Sequence, residues 1–145
     1  MPRAETHEST HEKPVERALL AGSVQRSEIF RKHFSGLCAV AENLVYQWMD
    51  RLCEDYHGGY WNIYELSNGG FYMAPKTDAR FEVCCFGFGD SVRLSADGAG
   101  LVATLFAVNQ LANSAGEDHI IELYYLIRDY VFGHDEAGKI FRAID

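Results

Sequence analysis

The stretch that most restricts the possible folds is Tyr60-Trp61-Asn62-Ile63-Tyr64-Glu65-Leu66, Ser67-Asn68-Gly69-Gly70, Phe71-Tyr72-Met73-Ala74-Pro75. Two aromatic and branched runs flank an Asn-Gly pair. That is the strongest short-range signal for a β-hairpin, because the turn residues must accept positive φ. A second hairpin is expected directly after it. Phe81, Val83 and Cys85 alternate with Arg80, Glu82 and Cys84, then Gly87-Phe88-Gly89-Asp90 leads to Val92-Arg93-Leu94. Four short strands joined by tight turns predict an antiparallel four-stranded meander.

Helical periodicity flanks the strands. Ala41, Leu44, Val45, Trp48 and Leu52 lie on one face of a helix spanning about residues 40–56, which Gly58-Gly59 stops. After the strands, Ser95 has the chemistry of an N-cap. Leu101, Thr104, Leu105, Val108, Leu111 and Ala112 form the stripe of a second helix that ends at Gly116. Ile120, Leu123, Tyr124, Ile127 and Val131 mark a third helix. Ala137, Ile140, Phe141 and Ile144 mark a short last one. The expected order is α-β-β-β-β-α-α-(α), an α+β fold with helices packed on the sheet. Residues 1–25 are polar, contain Pro2 and Pro14 and show no sustained period, so they read as a flexible tail with one helical turn around residues 15–20. Residues 26–145 then form a single domain, a size at which about two-thirds of the unfolded surface can be buried.

Charge excludes some functions. The chain has 21 acidic and 13 basic residues, a net charge of −8. No basic stripe is available to displace counterions from nucleic acid. Nor do the acids form a DNA replica. They are interleaved with cations, and their longest runs are the pairs Glu54-Asp55, Glu117-Asp118 and Asp135-Glu136, against about one charge per 1.7 Å of duplex axis. No apolar stretch reaches the roughly 20 residues of a membrane span. The first residues have no apolar core of a secretory signal, and the four cysteines show no CxxC pairing, so a cytoplasmic protein with free thiols is expected.

Catalytic patterns are weak. His7-Glu8-Ser9-Thr10-His11 fits HExxH, but the segment is wholly polar and Pro14 follows, which disfavours the buried zinc helix this chemistry needs. Cys84 or Cys85 paired with His57, His119 or His134 would make a thiol hydrolase, the alternative reading, yet no nucleophile elbow surrounds either cysteine. No catalytic residue, metal or cofactor is expected. The crowded aromatics Tyr56, Tyr60, Trp61, Tyr64, Phe71 and Tyr72 cannot all share one face of a two-stranded ribbon, so some are candidates for a binding surface.

Residues 44–49 (Leu-Val-Tyr-Gln-Trp-Met), the long run from Tyr56 to Pro75, Leu94-Ser95-Ala96-Asp97-Gly98-Ala99-Gly100 and the closing Arg142-Ala143-Ile144-Asp145 resemble the signature of the ArdB/KlcA antirestriction family. The resemblance covers about residues 28–145. It implies a protein carried on conjugative plasmids that shields incoming DNA from type I restriction-modification. Its partner would be the host restriction machinery or a host factor regulating it, reached without direct contact to nucleic acid or membrane. The family also implies an antirestriction role without catalysis, cofactor or metal. The expected contact surface joins Tyr60 and Tyr64 to the acidic pair Glu54 and Asp55.

Overall fold

A computed structural model of the chain describes residues 13–85 and 89–145. The elements run β1 (Arg17–Leu19), α1 (Ser23–Phe34), a 3₁₀ turn (Ser35–Leu37), α2 (Cys38–Leu52), β2 (Trp61–Leu66), β3 (Phe71–Pro75), β4 (Arg80–Cys84), β5 (Ser91–Ser95), α3 (Ala96–Ala115), α4 (Asp118–Val131) and α5 (Ala137–Ile144). The α+β class holds. The four-stranded meander does not: β1-β2-β3 form one antiparallel sheet and β4-β5 a separate hairpin.

The split follows from where the edges of β2 and β3 point. Leu66 N–H donates to Gly70 O and Lys76 N–H to Tyr60 O, so the even positions of β3 bond β2 and Phe71, Met73 and Pro75 face outward. That outer edge belongs to α3. Thr104 Oγ1 accepts from Met73 N–H and donates to Met73 O, both at 3.3 Å. Pro75, which has no N–H to offer, sits at a position where none is needed. The other edge of β2 is taken by β1, with Ala18 opposite Glu65. No ladder is left for β4.

The helical turn expected around residues 15–20 is thus a strand, and the segment expected as tail contributes both β1 and the start of α1. Residues 1–12, with the HExxH match, lie outside the described residues. The first turn also differs in detail. Gly69 has φ +97°, while Asn68 stays at negative φ and acts through its side chain. Its Oδ1 accepts from Gly70 N–H at 3.0 Å and its Nδ2 donates to Leu126 O at 2.8 Å, which ties the turn to α4.

One sheet face carries Trp61, Ile63 and Phe71. Trp61 packs edge-on against Tyr46 and Tyr56, and Phe71 against Phe30 and Phe34, which places α1 and α2 on this side. α3 is the central helix. Leu101 to Leu105 are buried without a break, as expected for a helix surrounded by other elements. Ser95 caps it, accepting from Gly98 N–H at 3.1 Å, and Gly116 at φ +68° ends it. Among the described residues no helix is long and apolar enough to cross a membrane.

Candidate functional site

The expected surface residues are distributed unevenly. Tyr60 is 59% exposed. Its ring lies beneath the Arg26 guanidinium at 4.8 Å, with Lys76 Nζ at 6.0 Å, and Arg26 is held in place by a bond to Trp61 O at 2.9 Å. Tyr64 is half-buried, because its ring stacks on Tyr72 at 5.0 Å and Arg17 covers it at 4.2 Å. Glu54 and Asp55 are exposed in the turn after α2. Tyr56, between them and the hairpin, turns inward, its hydroxyl accepting from Trp61 Nε1 at 2.8 Å.

The structure also assembles a polar cluster around Asp97, in the first turn of α3. Asp97 Oδ1 accepts from Arg17 Nη1 at 2.6 Å and from the Tyr72 hydroxyl at 2.8 Å, while Oδ2 lies 2.8 Å from His134 Nε2. Arg17 Nη1 also donates to the Tyr72 hydroxyl at 2.6 Å. Tyr72, fully buried, stacks on Tyr130 as well as Tyr64. Burial alone raises the Asp97 carboxyl, but the bonds from His134 and Tyr72 and the Arg17 charge outweigh it and hold the group below the usual carboxylate range. Burial and the Asp97 charge push the Tyr72 phenol far up.

His134 has no free nitrogen. The Glu136 N–H donates to its Nδ1 at 3.0 Å, which requires the neutral tautomer with the proton on Nε2, facing Asp97. Glu136 itself caps α3 from a distance, accepting from Ser95 N–H at 3.0 Å and Ser95 Oγ at 2.6 Å and pairing with Arg80 at 3.2 Å. Burial opposes the Glu136 charge, but the Ser95 bonds prevail and lower its pKa. Ser, His and Asp/Glu therefore meet here without forming a triad, since no imidazole nitrogen faces Ser95 Oγ. The cluster borders a shallow open cavity of about 400 Å³ lined by Arg17, Asn62, Tyr64, Lys76 and Asp97.

The thiol candidates stand apart from this geometry. Cys85 is buried, and burial raises its pKa, while burial pushes Cys53 up to about 12. Such thiols stay protonated, the opposite of an activated nucleophile. Cys84 is exposed. His119 Nε2 is engaged at 3.0 Å with His33 O. Among the described residues no group of three or more His, Cys, Asp or Glu could hold a metal ion.

Tyr60 and Tyr64 were named from the sequence as candidate contact residues, but Arg17, Asp97, His134 and Glu136 were not seen as a group. Ser95-Ala96-Asp97-Gly98 signals a helix start. Nothing in the local pattern says that a strand 80 residues earlier and a loop 37 residues later converge on it.

The family profile described as antirestriction protein matches residues 54–145. Two proteins named antirestriction protein KlcA, both from Escherichia coli, are similar to the chain. One is 44% identical over 142 residues, covering 94% of this chain and 99% of its own length. The other is 52% identical over 108 residues, covering 72% and 74%. The uncharacterized protein YafX of Escherichia coli K12 is 35% identical over 125 residues, covering 83% of this chain and 82% of its own. A solved structure from work on KlcA and ArdB superimposes with a TM-score of 0.82 at 46% identity, covering 92% of this chain and 96% of that one. Those proteins are described as having a novel fold and antirestriction activity against type I DNA restriction systems in vivo but not in vitro. With relatives this similar over nearly its whole length, the chain belongs to the ArdB/KlcA family of antirestriction proteins.

Proposed function

We propose that the protein relieves type I restriction of incoming plasmid DNA by protein–protein contact, acting on the restriction machinery or on a host factor that regulates it. The observation that carries this reading is the in vivo but not in vitro activity of the matched KlcA and ArdB proteins. A protein that blocked the enzyme by imitating DNA would need no cellular component beyond the enzyme itself. The sparse, interleaved charge of this chain points the same way. So does the closed valence of the Asp97 cluster, which leaves no poised acid–base pair and favours a non-enzymatic role for a cytoplasmic protein.

The contact surface assigned to this function is the hairpin edge around Tyr60, extended to Tyr64 and to the acidic turn Glu54-Asp55. Tyr60 is the anchor, an exposed ring already positioned by Arg26 and Lys76. Anchors of this kind lose about 2 kcal/mol or more on truncation, and rim carboxylates mainly alter association rate. The test is the plating efficiency of unmodified phage, and the transfer of unmodified plasmid, in a type I restricting host. Tyr60→Ala should lower relief by at least about tenfold with the melting temperature unchanged. Glu54→Gln with Asp55→Asn should lower it less. Full activity of folded Tyr60→Ala, with loss in a folded Cys84→Ser, Cys85→Ser double variant, would transfer the function to a thiol enzyme.

A further inference from the structure

α4 carries two apolar stripes where a surface helix needs one. Ile120, Leu123, Ile127 and Val131 are buried in the core. On the opposite side Ile121, Tyr125, Arg128 and Phe132 follow the spacing i, i+4, i+7, i+11, and Ile121, Tyr125 and Phe132 are 41, 59 and 69% exposed. Isolated exposed apolar residues are ordinary. Three of the largest aligned at helical spacing are not, and this is the seam geometry with which one helix receives another.

The stripe is held in shape by its neighbours. Tyr125 meets Tyr124 edge-on at 5.4 Å, and Phe132 packs on Phe141 of α5 at 4.9 Å. The Arg128 guanidinium lies 5.0 Å over the Phe141 ring and is fixed by the Tyr124 hydroxyl at 3.3 Å and by Asp145 at 3.2 Å. Aromatic rings and an arginine fixed in this way lose little freedom on binding. They are also the residue types that dominate contact energies. Asp118 and Glu122 border the stripe on its solvent side, while Arg128 has its charge matched by Asp145.

We infer that the outer face of α4 is a docking surface for a cationic amphipathic helix of a partner protein, with the partner's apolar side seated on Ile121, Tyr125 and Phe132 and its lysines or arginines facing Asp118 and Glu122. Charge selects this occupant. A second copy packed antiparallel on the same stripe would set acidic flank against acidic flank, and like charges facing across an interface oppose association. Nucleic acid and anionic lipid are repelled for the same reason. This surface is separate from the Tyr60 edge, and binding to it is read without any restriction assay, so the two readings succeed or fail independently.

The test uses the full chain, isotopically labelled, titrated with a synthetic leucine/lysine amphipathic helix of about 18 residues, five turns, and with its leucine/glutamate counterpart. The expected result is that amide shifts concentrate on residues 118–132 and 137–145 with the lysine peptide and are absent with the glutamate one. Tyr125→Ser and Phe132→Ser should each weaken binding by at least about tenfold with only a small drop in melting temperature, since both side chains are mostly exposed. Glu122→Gln leaves the apolar stripe intact and should weaken binding only at low salt. Shifts centred on another face, or binding unchanged in the serine variants, overturn the inference. So does a dimer in sedimentation that Phe132→Ser dissociates, because the occupant would then be a second copy.

Discussion

The two hairpins look alike as sequence and are built differently. Every residue of β3 is buried, whereas β4 alternates, with Phe81 and Val83 inside and Arg80, Glu82 and Cys84 outside. The first hairpin is covered on one face by α1 and α2. Its outer edge is sealed by Thr104, its turn is tied to α4 by Asn68, and its far face is tied to β1 and α3 through Tyr72 and Asp97. The second hairpin rests one face on the core and shows the other to solvent, where Glu82 meets Arg93 at 3.4 Å and Ser91 at 2.9 Å. A strand buried on both faces is held by geometry that tolerates little change. A half-exposed ribbon should tolerate much more on its outer face.

The sharpest break comes from two glycines two positions apart in α3. A Cβ at Gly100 would lie 2.5 Å from Ala74 Cα, Ala74 Cβ and Met73 O, all fixed parts of β3. Gly100→Ala must push α3 off the first hairpin and should cost about 3 kcal/mol or more. A Cβ at Gly98 would meet Glu136 Oε1 at 2.5 Å and Leu94 at 3.2 Å, and Glu136 is a side chain that can swing aside at the expense of its bonds to Ser95. Gly98→Ala should cost about 1–2 kcal/mol, less than Gly100→Ala. Equal losses in chemical denaturation would show that α3 is not seated preferentially on β3.

Next in size is Asp97→Ala, which leaves Arg17, Tyr72 and His134 facing one another without the carboxylate. Removing one partner of a fully buried charge pair costs about 3–5 kcal/mol. Asp97 keeps 26% of its side-chain surface exposed, so about 2–3 kcal/mol is expected here, with β1 the first element to lose protection in hydrogen exchange. Unchanged exchange at residues 17–19 would mean that backbone pairing with β2 is enough to hold β1.

A pH window tests the other side of β3. His33 stacks on Phe71 at 5.4 Å, is 8% exposed, and leaves its Nε2 without a partner. Burial, helped by the nearby charges of Lys32 and His119, lowers its pKa to about 4. The folded protein therefore refuses a proton that the unfolded chain accepts once the pH falls below about 6.5. Stability is fully present above that value and lost as the pH drops toward 4. At about 1.4 kcal/mol per pKa unit, a shift from 6.5 to about 4 means that about 3 kcal/mol should be lost across the window. His33→Phe should flatten the slope there, leaving the acid loss tied to Asp97 at lower pH. A slope that survived the substitution would place the titrating group elsewhere.

Much of this architecture was legible in the sequence. The hairpin pairs, Ser95 as a cap, Gly116 as a stop and the core stripe of α4 follow from local periodicity and turn chemistry. What was not legible is non-local. β1 is three exposed residues, Arg17, Ala18 and Leu19, held by backbone bonds and by one arginine, so no hydrophobic alternation announces it. α1 buries only Ile29, Phe30, His33 and Phe34, all in its second half, and its first half reads as tail. The break between the hairpins depends on which edge α3 covers, and Thr104 and Gly100 look like ordinary helix positions until β3 is beside them. The candidate surface divides the same way. The aromatic excess of the first hairpin was visible, but whether Tyr60 or Tyr64 stays exposed is decided by Arg17, Tyr72 and Tyr130.

The smallest expected effect is on the outer face of the second hairpin. Glu82 and Arg93 stand opposite each other in the β4-β5 register and pair at 3.4 Å, with side chains 53 and 58% exposed. Water screens such a pair, and holding two long side chains together costs rotamer freedom. Glu82→Gln keeps the size and the bond to Ser91 and removes only the charge, so the change in unfolding free energy should stay within about 0.5 kcal/mol and shrink further with added salt. The same carboxylate-to-amide change at Asp97 removes charge from a site that Arg17, Tyr72 and His134 all address, and should cost several times more. If Glu82→Gln matched Asp97→Asn, the outer face of the second hairpin would carry as much of the stability as the polar cluster behind the first, and the contrast between the two would be lost.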